Sequence, residues 1–553
     1  MHPLTEQLLR NRGIIGPAEQ QAFLNPDYTR DVRDPFGILN MEKAVDRILS
    51  GMRAGEDIVI FGDYDCDGIP GSVILHDLFV KIGYDNFRNY IPHRHNEGYG
   101  LSVAAVEKFI KEGVQLIITV DCGITDVAAV EVANAAGITV IITDHHLPGP
   151  VLPPAFAILN SKQEGDTYHD NMLCGAGVAF KLSQAMLKKG GFADIPDGWE
   201  KWLLDMAGIS TIADMVPLVK ENRALAYFGL KVLKRSARPG LKALLATAKV
   251  DQRFLTEEDV GFTIAPRINA ASRMAEPIAA FHMLAADDEA KAIAHAKALE
   301  DLNNSRKLAT KKMAEEAHRI VSELKKIPEV LVVGKIGWSV GVAGIVAAQL
   351  VERYQKPAFV WCQDGDEIKG SCRSDGSISV VELMHAVPGE VFIARGGHAQ
   401  AGGFSVHPDH INDFAKALNK AHKGVTKNIS PDSLYETDGH LQLADVSRET
   451  YNAITALAPF GEGNPKPIFA FEGVRVADVQ MFGKTKEHLK VVLSDELGRS
   501  AEAIAWYKTP ASYPHAHLVK GGSVTMIAHV EESRFLGKVQ LRLRIIDILP
   551  ARI

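Results

Sequence analysis

Three short apolar runs in the first part of the chain each end on an aspartate. DIVIF (57–61) leads through Gly62 into Asp63-Tyr64-Asp65-Cys66-Asp67-Gly68. VQLIITV (114–120) leads into Asp121-Cys122-Gly123, and ITVIIT (138–143) into Asp144-His145-His146. FAILN (156–160) is a fourth run, and helical patterns such as 71–82 fill the gaps. Continuous apolar runs bounded by loops predict strands buried on both faces. Strand alternating with helix predicts a parallel, doubly wound sheet. Such sheets bind ligands outside the carboxyl ends of their strands, so three strands deliver acids and histidines to one edge.

Clustered carboxylates repel one another unless cations neutralise them. Carboxylate with imidazole suits Mn²⁺ or Mg²⁺, with Mn²⁺ favoured by the histidines. The donors exceed what one ion needs, so two ions about 3.5–4 Å apart, splitting a phosphate ester, are the expected use. A calcium loop starting at Asp63 is excluded, because it needs a glutamate at its twelfth position and that position is Ile74.

A length of 553 residues predicts three to four domains. Residues 1–45 carry turn signals (Asn25-Pro26-Asp27, Asp34-Pro35) and read as an N-terminal arm. Residues 46–286 hold the strand-end motifs. Residues 287–327 lack glycine and proline and predict one helix about 60 Å long, too long for one compact domain and so a bridge. Residues 328–427 begin a second α/β unit at EVLVV, and residues 428–553 read as an all-β module.

The net charge of −7 excludes an all-over basic binder but not a basic groove. Cys66, Cys122, Cys174, Cys362 and Cys372 form no CxxC pair, which argues against a disulfide framework or zinc finger and for a reducing compartment. The start of the chain has no run of signal-peptide type. The longest uncharged apolar stretch, 336–351, is too short to span a bilayer. A cytoplasmic protein with no membrane partner is expected.

Asp63-Tyr64-Asp65-Cys66-Asp67-Gly68 together with Asp144-His145-His146 resembles the DHH phosphoesterase superfamily. Val120-Asp121-Cys122-Gly123 and Ala213-Asp214-Met215-Val216-Pro217-Leu218 resemble its second and fourth motifs. Gly396-Gly397-His398-Ala399-Gln400-Ala401-Gly402-Gly403 resembles the signature of the associated DHHA1 domain, and the domain order resembles the RecJ exonucleases. The implied fold is α/β: a parallel-sheet DHH domain and an α/β DHHA1 domain joined by a long helix, plus a C-terminal all-β OB-fold. The implied metal ligands are Asp63, Asp65, Asp67, Asp121, His145 and Asp214, with Asp121 bridging two Mn²⁺ or Mg²⁺ ions. His146 is implied to face the scissile phosphate and Asp144 to orient its neighbours. Two departures stand out: Pro70 follows the first motif, which puts the role of Ser72 in question, and the DHHA1 signature ends Ala-Gly-Gly.

Phosphate recognition calls for positive groups beside the metals. Candidates are Arg94, Arg267, Arg273 and Arg373, each in or near a loop bearing Gly or Ser, with Ser72 and Ser371 as hydroxyl donors. The resemblance implies that Ser371 and Arg373 take a 5′-terminal phosphate and that Gly396, Gly397 and His398 contact a nucleotide. Phe482, Trp506, Tyr507 and Phe535 are candidate stacking platforms in the β module. Lys484, Lys486, Lys490, Arg534, Lys538, Arg542 and Arg544 are its candidate backbone contacts. The implied activity is a single-stranded-DNA-specific 5′–3′ exonuclease of repair and recombination. A monomer is expected, with single-strand-binding protein and a RecQ-type helicase as family-implied partners. The alternatives are a DHH phosphodiesterase of short oligonucleotides, cyclic dinucleotides or pyrophosphate, and an inactive single-strand-binding scaffold.

Overall fold

The first sheet runs β2-β1-β3-β4-β5, all parallel, from β1 (Ile58–Gly62), β2 (Phe87–Tyr90), β3 (Leu116–Val120), β4 (Thr139–Thr143) and β5 (Ala157–Leu159). It belongs to a computed structural model that describes residues 1–94, 96–168, 172–364, 367–425, 437–483, 485–516, 518–535 and 538–551. β1 and β3 are buried at every position, so their sequences show no alternation. Ile58, Ile60, Leu116 and Ile118 feed one core, and Val59, Phe61, Ile117 and Val140 feed the core on the opposite face. β2 has no apolar run to announce it; it is a half-buried edge strand reading Phe-Arg-Asn-Tyr. Because β2 and β3 flank β1, the strand order reverses between β1 and β3, and the crevice at their carboxyl ends is the place for a ligand.

Four helices matter for the site: α2 (Gly68–Lys81), α3 (Gly175–Gly190), α4 (Leu204–Ala213) and α5 (Ala265–Met274). The bridge, α6 (Glu289–Ser322), has 34 residues, about 51 Å at 1.5 Å per residue. It starts where the Asp288 carboxylate accepts from the Lys291 amide at 2.8 Å and stops before Pro328, inside the expected 287–327. Ala292, Ala296 and Leu299 pack into the first domain, and Met313, Ala317 and Val321 into the second.

The second domain holds β6 (Leu331–Ile336), α7 (Val340–Tyr354), β7 (Ala358–Asp364), β8 (Glu367–Arg373), β9 (Phe392–Gly397) and β10 (Ala401–Val406). Its sheet order is β6-β7-β8-β10-β9, parallel only at β6–β7. The C-terminal strands are β11 (Gly439–His440), β12 (Phe469–Phe482), β13 (His488–Ser494), β14 (Ser500–Ala505), β15 (Ser523–Phe535) and β16 (Lys538–Pro550). Pairing of β12 with β15 closes β12-β13-β14-β16-β15 into a five-stranded, OB-like barrel.

Residues 1–45 do not form a free arm. Leu8 and Leu9 of α1 (Pro3–Asn11) are fully buried in the barrel core. The Thr5 hydroxyl donates to Ala453 O, and Arg12 reaches Asn464 and Asp438. The amphipathic spacing of α1 marks a buried face, but only the fold tells which core, about 450 residues on, it completes.

The barrel is fastened to the first domain by Arg223, which donates to Ala458 O, and by Glu258, which pairs with Lys466 and Arg544. His529 lies in this seam with its Nδ1 2.7 Å from Pro467 O. Burial, aided by Arg544 and Lys466, holds its pKa down to about 4. In the unfolded chain it titrates near 6.5. Between those values the unfolded state binds more protons, so stability falls as pH drops from about 6.5 to 4, by up to about 3 kcal/mol. Melting curves from pH 8 to 4 should therefore fall more steeply for the wild type than for His529→Gln. Parallel curves would show that His529 does not drive the acid limb.

Candidate metal centre

Each acidic loop leaves the sheet one residue past its strand, and the backbone keeps pairing there. Asp63 N donates to Val120 O, Asp121 N to Thr143 O and Asp144 N to Leu159 O. The three aspartates thus start from fixed points along the carboxyl edge. Asp121 has φ +64°, a left-handed conformation uncommon for a non-glycine residue; such strain collects at functional sites.

The donors converge. His145 Nε2 is 3.2 Å from Asp121 Oδ1, 3.6 Å from Asp67 Oδ2 and 3.6 Å from Asp214 Oδ2. Three sets each have ligand atoms within 4.8 Å of one another: Asp121, His145 and His146; Asp67, His145 and Asp214; Asp63, Asp65 and Asp121. Asp121 belongs to two of the sets and so lies between two possible centres.

Burial and mutual repulsion push these carboxyls up. For Asp121 the cause is burial, then Asp67, Asp65, Asp63 and Asp214; for Asp63 and Asp65 it is burial, then a neighbouring aspartate. Asp214 is raised to about 9 by burial and by Asp67 and Asp65. Burial lowers His145 to about 4, which keeps its imidazole neutral and able to ligate. Asp63 Oδ1 and Asp121 Oδ1 are buried with no hydrogen-bond partner. Two orphaned buried carboxylate oxygens beside a neutral imidazole fit divalent cations, with oxygen and nitrogen donors suited to Mn²⁺ or Mg²⁺.

Asp144 is built differently. Its Oδ2 accepts from Ile124 N, and its Oδ1 from the amides of His145 and His146 and from His146 Nδ1 at 2.8 Å. Burial alone would raise its pKa, but these bonds and His146 bring it below the ordinary value. His146 is raised in turn: burial lowers it, but its bond to Asp144 and the charges of Asp144, Asp67 and Asp65 together outweigh that. Both Asp144 oxygens are thus used in hydrogen bonds, one of them to the His146 ring.

Asp67 is held by the amino end of α3. Gly175 N donates to its Oδ2 at 2.6 Å and Ala176 N to its Oδ1 at 2.8 Å, as expected for an anion at a helix N-terminus. Only glycine fits at 175, because a Cβ there would sit 2.4 Å from Asp121 Cβ. Sequence reasoning missed Gly175; its signal is the small-residue run Cys174-Gly175-Ala176-Gly177 opening a helix. It also missed Tyr99, whose hydroxyl donates to Asp121 O at 3.1 Å and lies 3.0 Å from His146 Nδ1.

Two predicted substrate residues have other roles. Ser72 is fully buried in α2, where its hydroxyl donates to Gly68 O. Pro70 lies in the first turn of that helix. Arg267 is neutralised by Glu300 and donates to Thr263 O, which ties α5 to α6. Arg94 stacks over Tyr64 at 5.0 Å. Arg273 donates to Gly341 O at 2.9 Å and so reaches the second domain. Burial lowers Arg273 to about 10, with Arg94, Arg306 and Arg373 adding to the effect. Ser371 and Arg373 project from one face of β8 toward Gly344 of α7. Gly396 and Gly397 are the exposed last residues of β9 and pair with β10, His398 opens the turn that follows, and β10 in turn pairs through Ala401 with Arg373.

In the barrel, His488 sits among Phe482, Trp506 and Tyr507, with ring centroids 5.2, 4.8 and 4.7 Å away. Trp506 and Tyr507 are exposed. Lys484 and the Phe535 side chain lie outside the described residues. The expected basic groove is largely paired: Lys490 with Glu502, Arg534 with Glu532, Arg542 with Glu531, and Arg544 with Glu258. Pairing with acids on the same strand, on a neighbouring strand or in the first domain is not visible from a count of basic residues.

Three family models match the chain: the DHH family N-terminal domain over residues 57–209, the DHHA1 domain over 319–424, and the RecJ OB domain over 437–547. The single-stranded-DNA-specific exonuclease RecJ of Haemophilus influenzae is 32% identical over 563 residues, covering 99% of this chain and 96% of that protein. The chain belongs to the RecJ family. The RecJ of Bacillus subtilis is 38% identical over 497 residues, 89% of this chain, and the match spans 62% of that relative's length. The RecJ of Thermus thermophilus in complex with Mn²⁺ superposes with TM-score 0.81 at 27% identity, covering 100% of this chain and 76% of that one.

Proposed function

We propose that this chain is a metal-dependent exonuclease specific for single-stranded DNA, digesting from a 5′ end. The observation that carries the reading is the convergence of Asp63, Asp65, Asp67, Asp121, His145 and Asp214 at the switch point between β1 and β3. Bound divalent cations supply Lewis acidity that activates a water and offsets charge on the leaving oxygen. The chain's own residues do the rest. Asp67, fixed by the α3 amides, and Asp121, fixed in its left-handed turn, hold the centre rigid. The His146 ring, set by Asp144 and Tyr99, is directed to the scissile phosphate. Arg94 and Arg273 from the first domain and Arg373 from the second bind phosphates of the strand. The exposed Trp506 and Tyr507 offer stacking surfaces for bases further along.

DNA repair and recombination are the setting this activity implies, in the cytoplasm, with single-strand-binding protein and a RecQ-type helicase as partners and a monomer as the working unit. Among the described residues no helix is long and apolar enough to cross a membrane. The deciding assay is digestion of labelled single-stranded DNA with added Mn²⁺, beside a dinucleotide and pyrophosphate. Digestion of the strand supports the reading; turnover of the small substrates alone would make this a short-substrate phosphodiesterase.

Ser371 and Arg373 project together, and an arginine can fork two donors onto one phosphate. Arg373→Ala should slow digestion of 5′-phosphorylated strands by about 10- to 100-fold and of 5′-hydroxyl strands much less. Equal slowing on both would make Arg373 a general contact.

A further inference from the structure

A helix that only braces two domains should be apolar wherever it is buried. The buried stripe of α6 is apolar at its ends: Ala292, Ala296 and Leu299 in the first domain, and Met313, Ala317 and Val321 in the second. Between them it turns polar. Asn303, Arg306 and Thr310 follow at spacings of three and four and so share one side of the helix. Asn303 is fully buried and Thr310 nearly so. The polar stretch lies where α6 passes from one domain to the other, alongside α5.

These groups are underused. Asn303 Nδ2, Arg306 Nε, Thr310 Oγ1 and Asn269 Oδ1 on α5 are all buried without a hydrogen-bond partner. Arg306 donates to Asn303 Oδ1 at 3.0 Å, which fixes its guanidinium but leaves its charge uncompensated. Burial lowers the pKa values of Arg306 and Arg273, and repulsion adds to it, from Arg267 on Arg306 and from Arg306 among others on Arg273. Of these three arginines, Arg267 is the one with a carboxylate partner among the described residues. Unpaired buried donors and a partly buried, uncompensated cation are costly. A polyanion threading between the domains would satisfy both.

We infer that the polar middle of α6 is a subsite for the nucleic-acid backbone. Arg306 takes a phosphate of the strand, and the Asn303 amide and Thr310 hydroxyl donate to phosphate or sugar oxygens beside it. This rests on the single-strand reading above and adds a contact from the bridge itself, so strand occupancy and the spacing of the two domains are coupled.

The test is affinity for a 5′-phosphorylated oligothymidylate with a non-cleavable phosphorothioate first linkage, measured with Mn²⁺ across a salt series. Arg306→Ala should weaken binding about tenfold and reduce the slope of log K against log salt by about 0.7, one phosphate's share on a single strand. Arg306→Lys should keep the slope, since it keeps the charge. Thr310→Val should weaken binding a few-fold with the slope intact. A purely structural role would leave the slope unmoved in all three. If Arg306→Ala melts early, Arg306→Gln, which keeps hydrogen-bonding capacity without charge, should show the same loss of slope. A wild-type slope in a folded Arg306→Ala or Arg306→Gln protein overturns the inference while leaving the single-strand reading standing. A wild type that fails to bind the strand sinks that reading and the inference with it.

Discussion

Asp121→Ala is expected to abolish strand digestion at every Mn²⁺ concentration, a loss of at least about three orders of magnitude, or about 4 kcal/mol of transition-state stabilisation. Asp121 Oδ1 is a buried oxygen with no hydrogen-bond partner, 3.2 Å from His145 Nε2, and the residue belongs to two of the three donor sets. Loss of a group common to two donor sets cannot be rescued by filling either one. Asp121→Asn separates chemistry from backbone strain, because asparagine tolerates the left-handed turn that Asp121 occupies. Both variants should lose the stabilisation that Mn²⁺ confers on the wild type, about 2.7 kcal/mol at a hundredfold excess over Kd, and with it the rise in melting temperature. Either variant digesting DNA at the wild-type rate would remove Asp121 from the centre.

How much of this was legible in the sequence depends on the range of the interactions. The carboxyl-edge acids could be read because strand burial is local: β1, β3 and β4 announce themselves as apolar runs, and the residue after a strand must lie at its end. β2 escaped notice because an edge strand needs no apolar run. The candidate ligands Asp63, Asp65, Asp67, Asp121 and His145 come from loops beside those runs, and Asp214, from the end of α4, depended on resemblance. Ser72 and Arg267 look like phosphate ligands in sequence, yet each spends its polar atoms within the fold, on Gly68 and on Glu300. The packing of α1 into the barrel, the ion pair of Arg544 with Glu258, and the α3 amides behind Asp67 join positions far apart in the chain. No periodicity or composition encodes such pairings. The long bridge was visible because glycine and proline are missing from it, but the significance of Asn303, Arg306 and Thr310 appears only when the two ends of the stripe are seen buried in different cores.

Gly175→Ala should disable the metal centre without altering any ligand. The added Cβ would lie 2.4 Å from Asp121 Cβ and 2.6 Å from Asp121 Oδ1, far inside van der Waals contact. Either Asp121 moves away or the start of α3 does. In the first case the shared ligand is misplaced. In the second the amides of Gly175 and Ala176 withdraw from Asp67. Metal ligands must stay within about 0.2 Å of their bonding distances, and loss of the groups that orient ligands typically costs 10- to 100-fold in affinity. Mn²⁺ affinity measured by calorimetry should fall by at least that much, and digestion with it. Gly177→Ala is the matched control two residues along the same helix, where a Cβ would meet Leu173 and Cys174 no closer than 3.4 Å. It should bind Mn²⁺ as the wild type does and gain slightly in helix stability. Wild-type Mn²⁺ affinity in Gly175→Ala would mean that α3 does not brace the centre and that Asp67 and Asp121 are held by their own loops alone.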